Sequence, residues 1–511
     1  MKKRISLIFV LLMLAVLFTG CGNGGKKASY KDNTDEEVTL VMAIGASEQK
    51  DTKEVVAEIN KRLEKLLPNT KIELMLDDLS SKWPLWMATE KSIDIAHSGY
   101  NTDLEDEVRK GSYLALDELV AEHAPGIQKL QEKYWNAYDN ATINGKLYAI
   151  PNVQLYAKTG YYLNMWNEAA KHMDLQSMKN EAWSSDKTTE KFWSLFSEGL
   201  DKAAAAGVDC SECINLSLYN LAKRGYVFIG GEDSNICYEK AGENTIIDFY
   251  TTDEFKNFST YMKQWADKGY VSKDIMTGQW SDKTGASYGF SYGINEETGI
   301  KVKFATPDKV SLYMDNPELN ILTTNIGDQA TYWSIPFTAE NPARAMKFLN
   351  LLQTEEGAEI ANLLAYGLEG KHYEVTDAEK GEIDAFEYDG QPNSSVSYGI
   401  SNWMIANMLE GMYTIDPYKS DFNDWALEYY GSLKDVKKHV LYGYSFDIDV
   451  VRNEFSQLIK NNAEYAESVY SGIVADSDGI MKILQDKNKA AGQEKIMKEL
   501  QKQADEYIKS K

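Results

Sequence analysis

Gly289-Phe290-Ser291-Tyr292-Gly293 spells the G-x-S-x-G pattern, in which a strand-to-helix turn exposes a nucleophilic serine for acyl transfer. That chemistry also needs a helix after the turn and an acid and a histidine further on. His372 and His439 do follow, but the residues after Gly293 (INEETGIKVKF) read as a turn and then a strand, so an exported hydrolase stays an alternative only. A glycosidase needs two facing carboxylates, and among 78 acidic residues no pair stands out. The five histidines, 97, 123, 172, 372 and 439, are scattered without H-x₃-H or H-E-x-x-H spacing. Asp476-Ser477-Asp478-Gly479 starts like a calcium loop but lacks the later ligands. We therefore expect no metal, no cofactor and no catalytic residue. Cys210-x-x-Cys213 has redox spacing, yet it follows Ala203–Ala206 and Gly207 at the end of a helix, whereas a redox pair opens one. A structural bridge is the expectation there, with one thiol left over among Cys210, Cys213 and Cys237.

The fourth cysteine, Cys21, sits in a different setting. Lys2, Lys3 and Arg4 precede an apolar run from Ile5 to Phe18, and Thr19-Gly20 stands before the cysteine. A basic start, a short apolar stretch and small residues describe an export signal over 1–20. The run is shorter than the ~20 residues of a spanning helix. Phe18-Thr19-Gly20-Cys21 resembles a bacterial lipobox, with Phe where Leu is usual. That resemblance implies an acylated Cys21, carrying diacylglycerol and palmitate, as the first residue of a mature lipoprotein facing the outside of the cell membrane. Residues 21–37 (CGNGGKKASYKDNTDEE) have no apolar period and read as a flexible leash.

At 511 residues the chain is too long for one core, and two or more lobes are expected. Its formal net charge of −24 argues against nucleic acid, whose phosphates need clustered Lys and Arg. It argues equally against the body lying on an anionic membrane, which leaves the lipid as the expected membrane contact. With 32 Tyr and 11 Trp, the chain is well supplied with side chains that combine an apolar face and a hydrogen-bonding edge. Sugar rings, apolar on their CH faces and polar at the rim, suit such walls.

The elements that must position these groups can be read from periodicity. Val38–Ile44 is an apolar, β-branched run ending at Gly45. Asp51 and Glu54 have capping-box spacing before a helix with Val55, Ile59, Leu63 and Leu66 on one face. Lys71–Leu76 reads as a strand, Trp83–Glu90 as a helix and Ile93–Ala96 as a strand. This β-α-β-α-β order predicts a largely parallel sheet, with ligands beyond the carboxyl ends of its strands. Further on, Thr331–Ile335 reads as a strand closed by Pro336, and Asn341-Pro342 as a helix start. Ile496, Leu500, Ala504 and Tyr507 mark a last amphipathic helix.

Four segments, in order, carry a family resemblance over nearly all of the mature chain. Gly145-Lys-Leu-Tyr-Ala-Ile-Pro151 resembles a segment of the extracellular solute-binding proteins that feed sugar ABC importers. Pro336–Leu352 resembles their return crossing, and Ala365–Tyr373 the segment after that crossing. From Tyr444-Ser-Phe-Asp447 onward the chain resembles the DUF3502-type C-terminal domain of the LipO-like branch. The resemblance implies an α/β, two-lobed periplasmic-binding-protein-like fold of type II, each lobe a mixed sheet flanked by helices. It implies three crossings, near Gln154–Leu163, Tyr332–Pro336 and Ser394–Trp403. Lobe one would hold 38–155 and 336–395, and lobe two 156–335 and 396–511 with a helical C-terminal region. The implied partners are an oligosaccharide ligand and ABC permease subunits, and the protein is expected to be a monomer; a surface glycan-binding adhesin without transport is the alternative. By position, the expected ligand contacts are Tyr100 and Asn101 at a strand end, Trp333 in a crossing, Tyr398 and Trp403 near another, and Trp280 in the loop TGQWSDKTG. Trp86 is set aside because it lies on an apolar helical stretch.

Overall fold

A computed structural model describes residues 30–99, 102–153, 161–182, 190–216, 222, 225–231, 233–272, 275, 286–290, 309–313, 321–323, 331–386, 400, 402–415, 427 and 433–511. Strand β1 (Val38–Gly45) pairs in parallel with β2 (Thr70–Asp77), from Val38 opposite Thr70 to Gly45 opposite Asp77. It also pairs in parallel with β3 (Ile95–Ser98). The intervening helices are α1 (Thr52–Leu66), which buries Val55, Ile59 and Leu63, and α2 (Leu79–Ala88), which buries Leu79, Trp83 and Trp86. The expected β-α-β-α-β unit is therefore present. Strand Tyr332–Ser334 runs antiparallel between β3 and Ile150–Pro151, completing a five-stranded sheet. Helices Pro342–Leu352 and Ala358–Tyr366 bury apolar faces in the same core, and Gly367, at φ +81°, ends the second.

Two expected caps are replaced by tertiary bonds. The Asp51 side chain caps nothing. It accepts instead from Lys371 Nζ at 2.9 Å and His372 Nε2 at 3.2 Å, while Glu54 takes Lys371 at 2.5 Å. His372 Nδ1 accepts from the Leu368 amide at 2.8 Å, which puts the ring proton on Nε2. An ammonium brought up by the chain return outcompetes a backbone amide for a carboxylate. Asn341 likewise makes no side-chain cap; its own amide donates to Asp94 Oδ1 at 3.0 Å, and Asp94 Oδ2 holds the Val41 amide at 3.0 Å.

Lobe two has a four-stranded sheet in the order Lys309–Tyr313, Tyr161–Trp166, Ala286–Phe290, Ile214–Asn215. Helices Glu190–Ala205 and Asp253–Asp267 pack together through aromatic edges, with Trp265 at 5.7 Å from Trp193 and 5.2 Å from Phe196. A smaller antiparallel sheet, Tyr226–Phe228, Ile236–Glu239 and Ile247–Asp248, shares a core with the C-terminal helices Arg452–Tyr470 and Gln493–Ser510, and helix Ser477–Ala491 packs against Arg452–Tyr470. The calcium-like quartet is a helix cap, since Asp476 accepts from the Gly479 amide at 2.9 Å. Cys210, Cys213 and Cys237 are buried free thiols, so the bridge expected at Cys210-x-x-Cys213 is not formed. Burial pushes the Cys237 thiol well up from its ordinary value, which makes it inert.

The lobe boundaries also differ from expectation. Tyr332, Trp333 and Ile335 belong to the lobe-one core, and so do Ile400, Ile405, Ala406, Met408, Leu409, Met412 and Ile415. Lobe one thus extends past 395 to at least Ile415. Ile400 N donates to Leu364 O at 3.2 Å and Tyr413 N to Asn362 Oδ1 at 2.8 Å, tying this stretch to helix Ala358–Tyr366, a contact with no signature in the local sequence. Among the described residues no helix is long and apolar enough to cross a membrane.

Candidate functional site

The carboxyl ends of β1, β2 and β3 lie on one edge of the lobe-one sheet, the edge where open α/β sheets take ligands. Asp78, just past β2, accepts from the Ser80 amide at 3.1 Å and so caps α2. Beyond β3 the chain turns into α3 (Leu104–Arg109), whose first turn is acidic: Glu105, Asp106 and Glu107. Asp103 caps it by accepting from the Asp106 amide at 2.7 Å. Glu107 is buried as a framework group, receiving Trp83 Nε1 at 2.9 Å, the Ser112 hydroxyl at 2.6 Å and Lys110 Nζ at 2.8 Å. Glu105 faces away from that cluster, against the Ser445 hydroxyl of the C-terminal region. Crowding by protein pushes its carboxyl up, and the Asp103 charge adds to this, against the Ser445 bond and Arg109. With 44% of its side chain exposed, Glu105 is not sealed in the core.

Asn152-Val153, Thr331–Trp333 and Trp403–Met408, far apart in the sequence, are bonded to one another. Asn152 N donates to Thr331 O at 2.9 Å, and Asn152 Nδ2 to Met404 O at 2.8 Å. Thr331 Oγ1 donates to Trp403 O at 2.8 Å, Trp333 Nε1 to Ile405 O at 2.6 Å and Met408 N to Val153 O at 2.9 Å. Gln353 Nε2 completes the knot at Asn152 Oδ1, 2.7 Å away. Three stretches of chain from distant parts of the sequence are held at one point, which is what a hinge between two lobes needs.

The comparisons with known proteins bear on this arrangement. Residues 440–509 match the family profile of a domain of unknown function, DUF3502. Over 525 aligned positions, covering 98% of this chain and 97% of the relative, the sequence is 22% identical to a carbohydrate ABC transporter substrate-binding protein of Streptococcus pneumoniae serotype 4. The chain is a homologue of carbohydrate ABC transporter substrate-binding proteins. It is also 24% identical, over 75% of its length and 76% of the relative's, to the polygalacturonan/rhamnogalacturonan-binding protein YtcQ of Bacillus subtilis. The fold is that of the two-domain solute-binding proteins. The N-glycan transport solute binding protein NgtS from Streptococcus pneumoniae superposes with a TM-score of 0.68, at 20% identity, over 92% of this chain and 99% of that one. An HMO binding ABC-transporter associated solute binding protein from Bifidobacterium longum infantis gives 0.58 at 15% identity, over 92% and 99%.

Against that fold the expected site residues separate. Trp333 is not a ligand wall: it is 0% exposed in the lobe-one core, edge-on to His97 at 5.5 Å, and its N–H is held by Ile405. A ring with both faces packed has none to offer a sugar. Trp403 is half-buried on the turn Asn402–Met404, against the lobe-one core and bonded through its carbonyl to Thr331 in the hinge knot. Tyr100, Asn101, Trp280, Tyr398 and Cys21 lie outside the described residues, as does Ser291 of the G-x-S-x-G pattern. Trp86 is buried on α2 beneath Lys91, whose Nζ is 4.9 Å from the ring centre. Glu105 on α3, and Trp135 and Asp139 on helix Trp135–Asn140, gave no signal in the sequence. Acidic and aromatic residues are common in this chain, and only the tertiary contacts distinguish these three.

Proposed function

We propose that this chain is the extracellular solute-binding component of a carbohydrate ABC importer, tethered through acylated Cys21. It captures an oligosaccharide between lobe one and lobe two and presents it to the permease unchanged. The observation that carries this reading is the end-to-end similarity to a carbohydrate ABC transporter substrate-binding protein, over 98% of this chain. The knot of Asn152, Thr331 and Trp403–Met408 supports it, because capture in a cleft needs a hinge. The candidate contacts are Tyr100, Asn101, Trp280, Tyr398 and Trp403; Trp333 serves as framework. A net charge of −24 opposes the approach of a polyuronate, so a neutral oligosaccharide is the ligand class we put first. Titrating purified protein with a panel of neutral and acidic oligosaccharides, read by intrinsic Trp fluorescence, tests this. We expect saturable binding of a neutral member that chromatography then recovers intact. Cleavage of the bound sugar, or no saturable binding across the panel, defeats the proposal.

A further inference from the structure

The DUF3502 region meets the two lobes through surfaces of opposite character. Toward lobe two it is welded. Leu441, Val451, Phe455, Leu458, Ile496 and Leu500 share one core with Val227, Ile229, Ile236 and Tyr238 of the small sheet. A buried amide chain reinforces that seam: Asn488 Nδ2 donates to Asn462 Oδ1 at 2.8 Å, and Asn462 Nδ2 to Asn235 Oδ1 at 3.0 Å. A satisfied buried network over an apolar core makes the two move as one body.

Toward lobe one the same region offers polar groups. Tyr442 OH donates to Asp139 at 2.9 Å, and Lys438, in the short approach to the domain, pairs with the same carboxylate at 3.6 Å. The Lys438 ammonium sits 4.1 Å from the Trp135 ring centre and 4.3 Å from that of Tyr442, so it is held between a lobe-one ring and one of its own. Ser445 bonds Glu105, Arg109 reaches Asp449 at 3.7 Å, and Arg452 reaches Asp106 at 3.9 Å. The side chains of Glu105, Asp139, Lys438 and Asp449 are 44, 41, 46 and 36% exposed, so water competes for the Asp139–Lys438 pair and for the Asp449 carboxylate, while Glu105 is the more crowded group. An interface of exposed ion pairs and one cation between two rings is made and broken at small cost. An apolar interface is not. The lobe-one partners lie on α3, the first helix after β3, and on helix Trp135–Asn140.

Resting on the two-lobed binding reading above, we infer that the DUF3502 domain and its lead-in Lys438 form the closing arm of lobe two, a clasp that grips lobe one through α3 and helix Trp135–Asn140 when the lobes shut. The clasp shifts the open–closed equilibrium toward closure before any ligand arrives. Affinity then depends on residues that never touch the sugar.

Small-angle X-ray scattering of the ligand-free protein tests this without a sugar. One variant removes the arm side (Lys438→Ala with Ser445→Ala and Asp449→Ala); a second, Asp139→Lys, sets a like charge against Lys438 from lobe one. Both act on partly exposed side chains, and thermal melting checks that each folds. We expect both to raise the radius of gyration and maximum dimension over wild type. Scattering curves of both variants that superpose on wild type overturn the clasp, whatever the sugar titrations give. Expansion of both variants alongside a failed sugar panel leaves the clasp standing and removes only the ligand assignment.

Discussion

The indole N–H of Trp333 donates to the carbonyl of Ile405 across 2.6 Å, joining strand Tyr332–Ser334 to the residue after the turn Asn402–Met404. The bond is fully buried and sits beside the Thr331–Trp403 and Asn152–Met404 bonds, so the knot is held from three sides. Within it Trp333 is a strut.

Its removal should therefore be felt as stability. Trp333→Phe leaves the Ile405 carbonyl buried without its donor, which costs roughly 1–3 kcal/mol. Trp333→Ala adds a cavity and costs about 3–5 kcal/mol. Urea unfolding measures both, and the affinity of the protein that remains folded should be unchanged. A tight-folding Trp333→Ala variant with lost sugar binding would return the residue to the ligand wall.

Trp403 and Trp280 carry the opposite expectation. A stacking ring in a binding pocket acts as a hot spot, and its truncation loses roughly 2–4 kcal/mol, about 30- to 1000-fold in affinity. Trp403→Ala and Trp280→Ala should weaken oligosaccharide binding in that range and leave the ligand-free thermal midpoint nearly unmoved. Early unfolding with normal binding would make them packing residues.

The end of the leash is an integral part of lobe one. Arg344 Nε reaches both oxygens of Asp32 at 3.0 Å, and its other nitrogens are taken by Asn69 O, Thr70 Oγ1 and Asn33 O. Burial works against the Asp32 charge, but Arg344 and Lys347 more than offset it and hold the carboxyl below its ordinary range. Asp32→Ala leaves a buried guanidinium unpaired, for which about 3–5 kcal/mol is the expected loss. A denaturant titration in which Asp32→Ala matches wild type would show the clamp to be dispensable.

His439 predicts a pH dependence. The ring stacks on Tyr238 at 4.7 Å and Nδ1 accepts from the Leu441 amide at 3.1 Å. Burial lowers its pKa below the ordinary 6.5, against nearby backbone carbonyls that raise it. The unfolded chain then binds the proton more readily, so this group's contribution is present above 6.5 and is lost as pH falls through the lowered folded value. Asn keeps the acceptor and removes the titration, so the stability of His439→Asn should fall less between about pH 7 and the acid limb than wild type's. Parallel pH profiles for the two proteins would rule the contribution out.

The cysteines give a covalent test. With Cys21 acylated, labelling of unfolded, unreduced mature protein should count an odd number of thiols, three if Cys210, Cys213 and Cys237 stay free as the structure has them. Cys21→Ser should release the protein or leave an uncleaved precursor. Unchanged detergent partitioning of that variant removes the lipid anchor from the proposal.

Local periodicity was enough for β1, α1, β2, α2 and β3, because each rests on the alternation or the 3.6-residue stripe of its own residues. The order of family-like segments likewise carried the two-lobed fold and the class of protein. What the sequence could not decide involves partners far along the chain. Asp51 has a cap's spacing, yet its carboxylate is claimed by His372, 321 residues on. Trp333 reads equally as wall or core until Ile405, 72 residues later, takes its N–H. Residues 402–415 enter the lobe-one core through partners such as Trp333 and Val153, and Glu105 meets Ser445, as Asp139 meets Lys438, only in the finished fold. Propensity and pattern act over a turn or two of chain, whereas the choice between two partners for one carboxylate or one indole is made by whichever group the finished fold brings within hydrogen-bond reach.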